Sequence, residues 1–273
     1  MRCTNPISVK NGIVPCGQCM ACRLNYGKEW SIRIMHELKK YDDAIFLTLT
    51  YDDEHLPKFG SLVPDDVTKF LKSLRQYLEP KQIRYFYAGE YGDKFGRPHY
   101  HLILFNVSNR EECFHLTQQK PGEFIGSCDF WKHGLIYIGK VTEDSACYVA
   151  RYTTKKIKGK GAKKWYEEHN LVPEFARMSR RPGIGADFCD KFSDELIQHN
   201  SVISKGKEYG LPRYYKKRLD IKLDPEERCL KHYEKLQELE KVAKAQCHTM
   251  VTGALTTQIN KQREKTILSR MKG

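Results

Sequence analysis

The sequence has no long apolar run. Its longest, AIFLTL and HLILF, fall far short of the ~20 residues that a bilayer span needs, which argues against a membrane protein. The N-terminus, MRCTNPISVK, lacks the charged-then-apolar pattern of a signal peptide. Internal repeats and low-complexity tracts are absent, so repeat architectures are set aside. Acid is in short supply, with 34 Asp or Glu against 47 Lys or Arg and a net charge of +13. What these absences leave is a soluble intracellular protein. Its 273 residues suit one large domain or one domain with substantial additions, and 40% hydrophobic and 11% aromatic residues suffice for a core.

The basic excess is concentrated. Between Arg151 and Arg218 there are 17 Lys or Arg against 8 Asp or Glu. A clustered positive charge favours a polyanionic partner, nucleic acid above all, although a solvated surface has the same composition. Of ten cysteines, four lie in the first 22 residues: Cys3, then Cys16, Cys19 and Cys22 in CGQCMACR. In a long chain so tight a cluster suits a reducing compartment better than a disulfide scaffold. Four thiolates can close a tetrahedral zinc site, and C-x-x-C is the usual half-site spacing. A C-x-x-C-x-x-C run offers one spare ligand, so the fourth stays open, and four thiols without metal are an equal alternative.

Apolar periodicity predicts helices over 23–41 (Trp30, Ile34, Leu38) and 61–78 (Val67, Phe70, Leu71, Leu74, Leu78). A third covers 142–161, opened by Thr142 and acids and closed by lysines and glycines. Strands are expected at 44–53, 83–91, 99–107 and 134–141. The stretch 108–133 reads as loop with a short helix. This order predicts an α+β fold, an antiparallel β-sheet with two helices on one face. Residues 224–250 form an amphipathic helical pattern that suits packing on the core or on a partner. The expected organisation is a Cys-rich segment and helix over 1–42, a core over 43–160, a basic extension over 161–222 and a helical segment over 223–273.

The chemistry gathers in GRPHYHLILF. In a strand, His99 and His101 share a face, about 6.6 Å apart along the chain. Glu90, on the preceding strand, falls on that face whether it pairs with His99 or with His101, unless a bulge intervenes. Two imidazoles and a carboxylate leave a metal with open positions for substrate. H-x-H also occurs on strands with no metal at all. Tyr148 and Tyr152 are about 40° apart around a helix, one turn from each other. A phenol can attack phosphorus when a cation polarises the phosphodiester, and a buried amphipathic face would have the same spacing. Two other functions are open: a non-catalytic single-strand binder with Tyr85 and Tyr87 as base platforms, and a zinc hydrolase centred on His99, His101 and Glu90.

Together, FLTLTY (46–51), GRPHYH (96–101) and YVARYTTKK (148–156) resemble the three ordered motifs of HUH endonucleases that initiate rolling-circle replication. The stretches CGQCMACR, FLTLTYDDEHLP, GEYGDKFGRPHYHLILF, YVARYTTKK, MSRRPGIG and LPRYYKKRL resemble the initiators of gokushovirus-type microviruses, in the two-tyrosine branch. The resemblance implies a ferredoxin-like or RRM-like sheet core with helical additions at both ends. It implies Mg2+ or Mn2+ on His99, His101 and Glu90, with Tyr148 and Tyr152 as nucleophiles and Lys156 near the phosphate. The implied activity is origin nicking and strand joining on single-stranded DNA through a covalent 5′-DNA adduct, with host helicase and polymerase as partners, in the cytoplasm of an infected bacterium. Arg151, Lys155, Arg180, Arg181, Arg213, Lys216 and Lys217 are the expected DNA contacts, while Asp52, Asp53 and His55 could assist the site or simply be solvated. The cysteine cluster stands outside the general motif set of the class.

Overall fold

A computed structural model describes residues 3–9, 12–152, 157 and 161–222. The amphipathic pattern at 224–250 lies outside them. The elements, in chain order, are β1 (Ile7–Val9), β2 (Gly12–Val14), α1 (Met20–Leu38), β3 (Ala44–Thr50), α2 (Pro64–Tyr77), β4 (Arg84–Tyr91) and β5 (Pro98–Phe105). They continue with β6 (Phe114–Lys120), β7 (Glu123–Cys128), β8 (Trp131–Lys140), α3 (Glu143–Tyr152), α4 (Ala162–Glu168) and β9 (Phe175–Met178). The last are α5 (Ala186–Lys191), α6 (Ser193–His199), β10 (Ser201–Ser204), β11 (Lys207–Gly210) and α7 (Arg213–Lys222). These residues fall into two compact units. The larger is Gly27–Phe192 with Ile203–Glu208; the smaller is Met1–Tyr26, Ser193–Val202 and Tyr209–Gly273.

The larger unit is built on one antiparallel sheet of seven strands, in the order β6-β7-β8-β3-β5-β4-β9. Strand β3 alternates as its sequence predicts, with Ile45, Leu47 and Leu49 buried between half-buried neighbours. Strand β5 lies between β3 and β4 and is covered on both faces, which is why HLILF is apolar without alternation. Pro98 stands at its first position, where a missing N–H costs the ladder least. Helix α2 begins with Pro64 and the acids Asp65 and Asp66. It buries Val67, Phe70, Leu71 and Leu74 against Leu47, Leu49, Tyr100, Leu102 and Trp131. Burying each such side chain is worth roughly 1.5–3 kcal/mol.

The opposite face carries Phe86, Ala88, Ile103 and Phe105. They pack with Ile34 and Trp30 of α1 and with Ala146 and Val149 of α3. The sheet is thus sandwiched, and the expectation of both core helices on one face is corrected: α2 takes one face and α3 the other. A second correction concerns 108–133. In place of loop and short helix, Phe114–Lys120 and Glu123–Cys128 form a hairpin closed by Pro121 and Gly122, with Gly122 at φ +81°. Strand β6 escapes the pattern because it is a sheet edge and mostly exposed, FHLTQQK having little to bury.

Candidate active site

Strands β4 and β5 pair without interruption from Arg84↔Phe105 to Tyr91↔Pro98, so no bulge breaks the parity that links their side chains. Glu90 lies directly opposite His99. On the other side of β5, Thr48 of β3 lies opposite His101 and Thr50 opposite His99. One oxygen of Glu90, Oε1, is 2.7 Å from His99 Nε2 and 3.1 Å from His101 Nε2. Glu90 and His101 are buried, while the His99 side chain keeps 20% of its surface in solvent.

The far ring nitrogens fix how these imidazoles face. His99 Nδ1 lies 3.1 Å from the Arg97 carbonyl. A carbonyl only accepts, so Nδ1 carries hydrogen and the Nε2 lone pair turns towards Glu90. His101 Nδ1 meets the Thr48 hydroxyl at 2.9 Å and turns its own Nε2 the same way. Two imidazole lone pairs and a carboxylate oxygen so close together call for a cation among them, a proton or a metal ion. The three donor atoms lie within 4.8 Å of one another. A mixed imidazole–carboxylate set with only three ligands suits a divalent ion that keeps positions open for substrate oxygens. Burial pushes the Glu90 carboxyl up, but the hydrogen bonds from His101 and His99 outweigh it and hold the group below the ordinary carboxylate value.

Tyr100, between the histidines, points to the α2 face. Its hydroxyl accepts the Val63 N–H at 2.6 Å and donates to the Val63 carbonyl at 2.9 Å, pinning β5 to the start of α2. The histidine face is approached by α3. That helix opens on a reciprocal cap: Ser145 N–H donates to Thr142 Oγ1 at 3.1 Å, and Thr142 N–H donates to Ser145 Oγ at 2.8 Å. Glu143, in the first turn, is held by Lys28 of α1 and by Ser204 Oγ at 3.0 Å. Ala146 and Val149 are buried, which turns Tyr148 towards the histidines. The Tyr148 ring stands edge-on to His101, centroids 5.3 Å apart, and is 46% exposed. Phe46 stacks on the other side of His101 at 5.7 Å. Tyr152 is the last residue of α3, one turn beyond Tyr148. The side chains of Arg151 and Tyr152, and all of Lys155 and Lys156, lie outside the described residues.

Thr48 is a site residue that motif reading passes over. Alternation already puts it on the face of Phe46 and Thr50, but its partner emerges only from the β3–β5 register. Asp52 and Asp53 stay away from the cluster and shape the turn after β3. Asp52 accepts from the His55 backbone N–H at 2.8 Å and sits 2.7 Å from its Nδ1. Asp53 pairs with Arg97 at 2.5 Å. Tyr87 is buried on the α2 side, and the Tyr85 ring carries the Arg75 guanidinium at 5.1 Å, so neither offers a bare platform for bases.

Arg180 and Arg181 line a groove of about 1140 Å³ together with Lys40, Arg75, Lys81, Arg84 and Arg177. The groove meets β4 at Arg84 and Tyr85, some six residues or ~20 Å along the strand from Glu90. Arg213, Lys216 and Lys217 lie exposed on α7 in the smaller unit. Cys3, Cys16, Cys19 and Cys22 belong to the same unit and bring their sulfurs within 4.8 Å of one another.

A family model for replication-associated proteins of the ORF2 type matches residues 44–157. The replication-associated protein VP4 of Bdellovibrio phage phiMH2K is 38% identical over 214 residues, covering 74% of this chain and 65% of that protein. The replication-associated protein ORF2 of Spiroplasma virus 4 is 38% identical over 228 residues, covering 78% of this chain and 69% of its own length. The replication-associated protein ORF4 of Chlamydia phage 1 is 28% identical over 218 residues, covering 74% and 52%. The chain thus spans between about half and about two thirds of the length of these curated relatives. No solved structure matches.

Proposed function

The chain belongs to the family of phage replication-associated proteins, and on that footing we propose that it is a metal-dependent DNA endonuclease and strand transferase. In this reading it nicks single-stranded DNA at the replication origin of a circular phage genome and later rejoins the displaced strand. The observation that carries it is the exposed Tyr148 ring standing 5.3 Å from His101, itself part of a His–His–Glu cluster. A nucleophile that needs no burial and a ligand set open on one side suit a large polymeric substrate.

Glu90, His99 and His101 would hold Mg2+ or Mn2+, which supplies polarisation of the scissile phosphate's oxygens. Thr48 and the Arg97 carbonyl keep both Nε2 lone pairs turned inward. The Tyr148 phenolic oxygen attacks phosphorus and forms an O–P bond while the P–O3′ bond breaks. The phenolic proton passes to solvent, and the leaving oxygen takes up a proton to become a free 3′-hydroxyl. The 5′ end stays on the tyrosine. Tyr152, one turn on, repeats the attack at the next junction, and the released 3′-hydroxyl displaces the first phenol to close the circle. Lys156 is assigned to the phosphate. The basic groove with Arg180 and Arg181 supports a path for the DNA backbone, and Arg151, Lys155, Arg213, Lys216 and Lys217 are assigned as further phosphate contacts. We place the nuclease within 43–160 and further DNA binding within 161–222. Extension of the 3′-hydroxyl falls to host helicase and polymerase in the infected cell's cytoplasm. Among the described residues no helix is long and apolar enough to cross a membrane.

The test uses labelled single-stranded oligonucleotides tiled across the phage genome, incubated with the full chain and Mn2+. One oligonucleotide should yield a detergent-stable protein–DNA adduct and a fragment ending in a 3′-hydroxyl. Chelation and His99→Ala with His101→Ala should each abolish both products. An adduct that survives Tyr148→Phe combined with Tyr152→Phe removes the tyrosines from the chemistry. Tight binding with no cleavage anywhere leaves only a nucleic-acid-binding role.

A further inference from the structure

The N-terminal segment poses a stability problem that its apolar residues do not solve. Strands β1 and β2 are three residues each, paired Ile7↔Val14 to Val9↔Gly12. Ile7, Val9 and Val14 are 49%, 45% and 36% exposed, and β1 buries none of its side chains. A two-stranded hairpin of this size is marginal in water without something to hold it. What gathers at its open end is sulfur. Cys3 precedes β1, Cys16 follows β2, Cys19 directly precedes α1, and Cys22 sits in the first turn of α1.

The spacing of these sulfurs is informative. Cys3 Sγ is 3.5 Å from Cys16 Sγ and 3.8 Å from Cys19 Sγ, and all four lie within 4.8 Å of one another. Disulfide sulfurs would be about 2.05 Å apart. Sulfurs at the corners of a tetrahedron, each ~2.3 Å from a central zinc, are ~3.8 Å apart. The backbone is arranged for charged sulfur as well. The amides of Gln18 and Cys19 both point at Cys16 Sγ, at 3.4 and 3.3 Å, and the Cys16 amide points at Cys3 Sγ at 3.3 Å. Gly17, at φ +70°, makes the turn that aims two amides at one sulfur. A thiolate is a far better acceptor for them than a neutral thiol.

We propose that Cys3, Cys16, Cys19 and Cys22 form a closed tetrathiolate zinc site that clamps the N-terminal hairpin to the start of α1. Four protein ligands leave no position for substrate, so the site is structural and independent of the nuclease centre. It also resolves the spare ligand of the C-x-x-C-x-x-C run: the first turn of α1 brings Cys22 to the three sulfurs that the hairpin and its flanks supply.

The full chain, purified anaerobically with reductant and without added metal, should contain one zinc per molecule by atomic emission. A mercurial should release it. The zinc should persist in the His99→Ala, His101→Ala double variant, which separates this site from the nuclease centre. Replacement by Co2+ should give strong visible d–d bands and near-ultraviolet thiolate-to-cobalt charge transfer, and Cys22→Ser should shift both. A chain free of metal that also fails to develop this spectrum with Co2+ refutes the site. Iron in place of zinc refutes the metal. Zinc retained by Cys16→Ser with Cys19→Ser, or a Co2+ spectrum indifferent to Cys22→Ser, refutes the ligand set.

Discussion

Replacing Thr48 with valine removes one hydroxyl from the centre of the sheet and keeps the shape of the side chain. That hydroxyl lies 2.9 Å from Nδ1 of the buried His101. Without it the imidazole has two choices. It can keep Nδ1–H with no partner, at a cost of roughly 1–3 kcal/mol for a buried donor. It can instead move the proton to Nε2, which then donates to Glu90 and no longer offers a lone pair. The first outcome lowers the melting temperature by about 2–10 °C at ~2–4 °C per kcal/mol. The second lowers metal affinity, and loss of such an orienting partner typically costs about 10–100-fold. Calorimetric titration with Mn2+ reads the affinity directly, and a melting curve reads the stability. Thr48→Ser, which retains the hydroxyl, should restore most of both. Should Thr48→Val bind Mn2+ within about twofold of wild type and melt at the same temperature, the hydroxyl does not orient His101, and the inward-facing Nε2 must have another cause.

Tyr100→Phe removes both hydrogen bonds to Val63 and should cost roughly 1–3 kcal/mol in urea unfolding. DNA cleavage should persist, because the ring faces away from the histidines. Gly126→Ala would put a methyl group 1.9 Å from the His115 carbonyl oxygen. It should cost about 3 kcal/mol and raise hydrogen exchange in β6 and β7 ahead of the rest of the sheet. Burial pushes the Glu143 carboxyl up, but Lys28 and Ser204 outweigh it and hold it below its ordinary 4.5. A depressed carboxylate stabilises the fold fully above that value and loses the contribution as pH falls through the lowered one. The melting difference between wild type and Glu143→Gln should therefore hold constant down to about pH 5 and shrink below it; a difference that grows on acidification contradicts the pairing.

The parts of the site legible in sequence are those ruled by short-range periodicity. Glu90 and the two histidines sit on adjacent strands joined by residues 92–97, and the two-residue period puts all three on one face in either register considered. The start of α3 is equally local, since Thr142, Ser145 and the first-turn acids specify a cap whatever lies nearby. What escaped reading is set by tertiary placement. Which face each helix covers depends on how the chain crosses the sheet, and an amphipathic stripe on α2 is the same on either side. Strands β6 and β7 escaped because an edge hairpin has little apolar surface to hide, so only Pro121–Gly122 marks it.

Thr48 shows why the remaining part of the site needed the fold. It is distant in sequence from His101, and β4 is the strand that neighbours β5 along the chain. Only the order β8-β3-β5-β4 places β5 between the two strands that serve it, β4 bringing Glu90 to one side of the histidines and β3 bringing Thr48 to the other. Both partners stand on paired strands within a sheet covered on both faces, so their positions are held by backbone hydrogen bonds and packing and not by loop conformation. The tyrosine helix is less constrained: it is fastened at its start through Glu143 and through Ala146 and Val149, while Tyr148 keeps nearly half its surface open. A rigid ligand floor beneath an exposed nucleophile is what a strand-transfer reaction requires, because the phosphate must be held still while DNA ends arrive and leave.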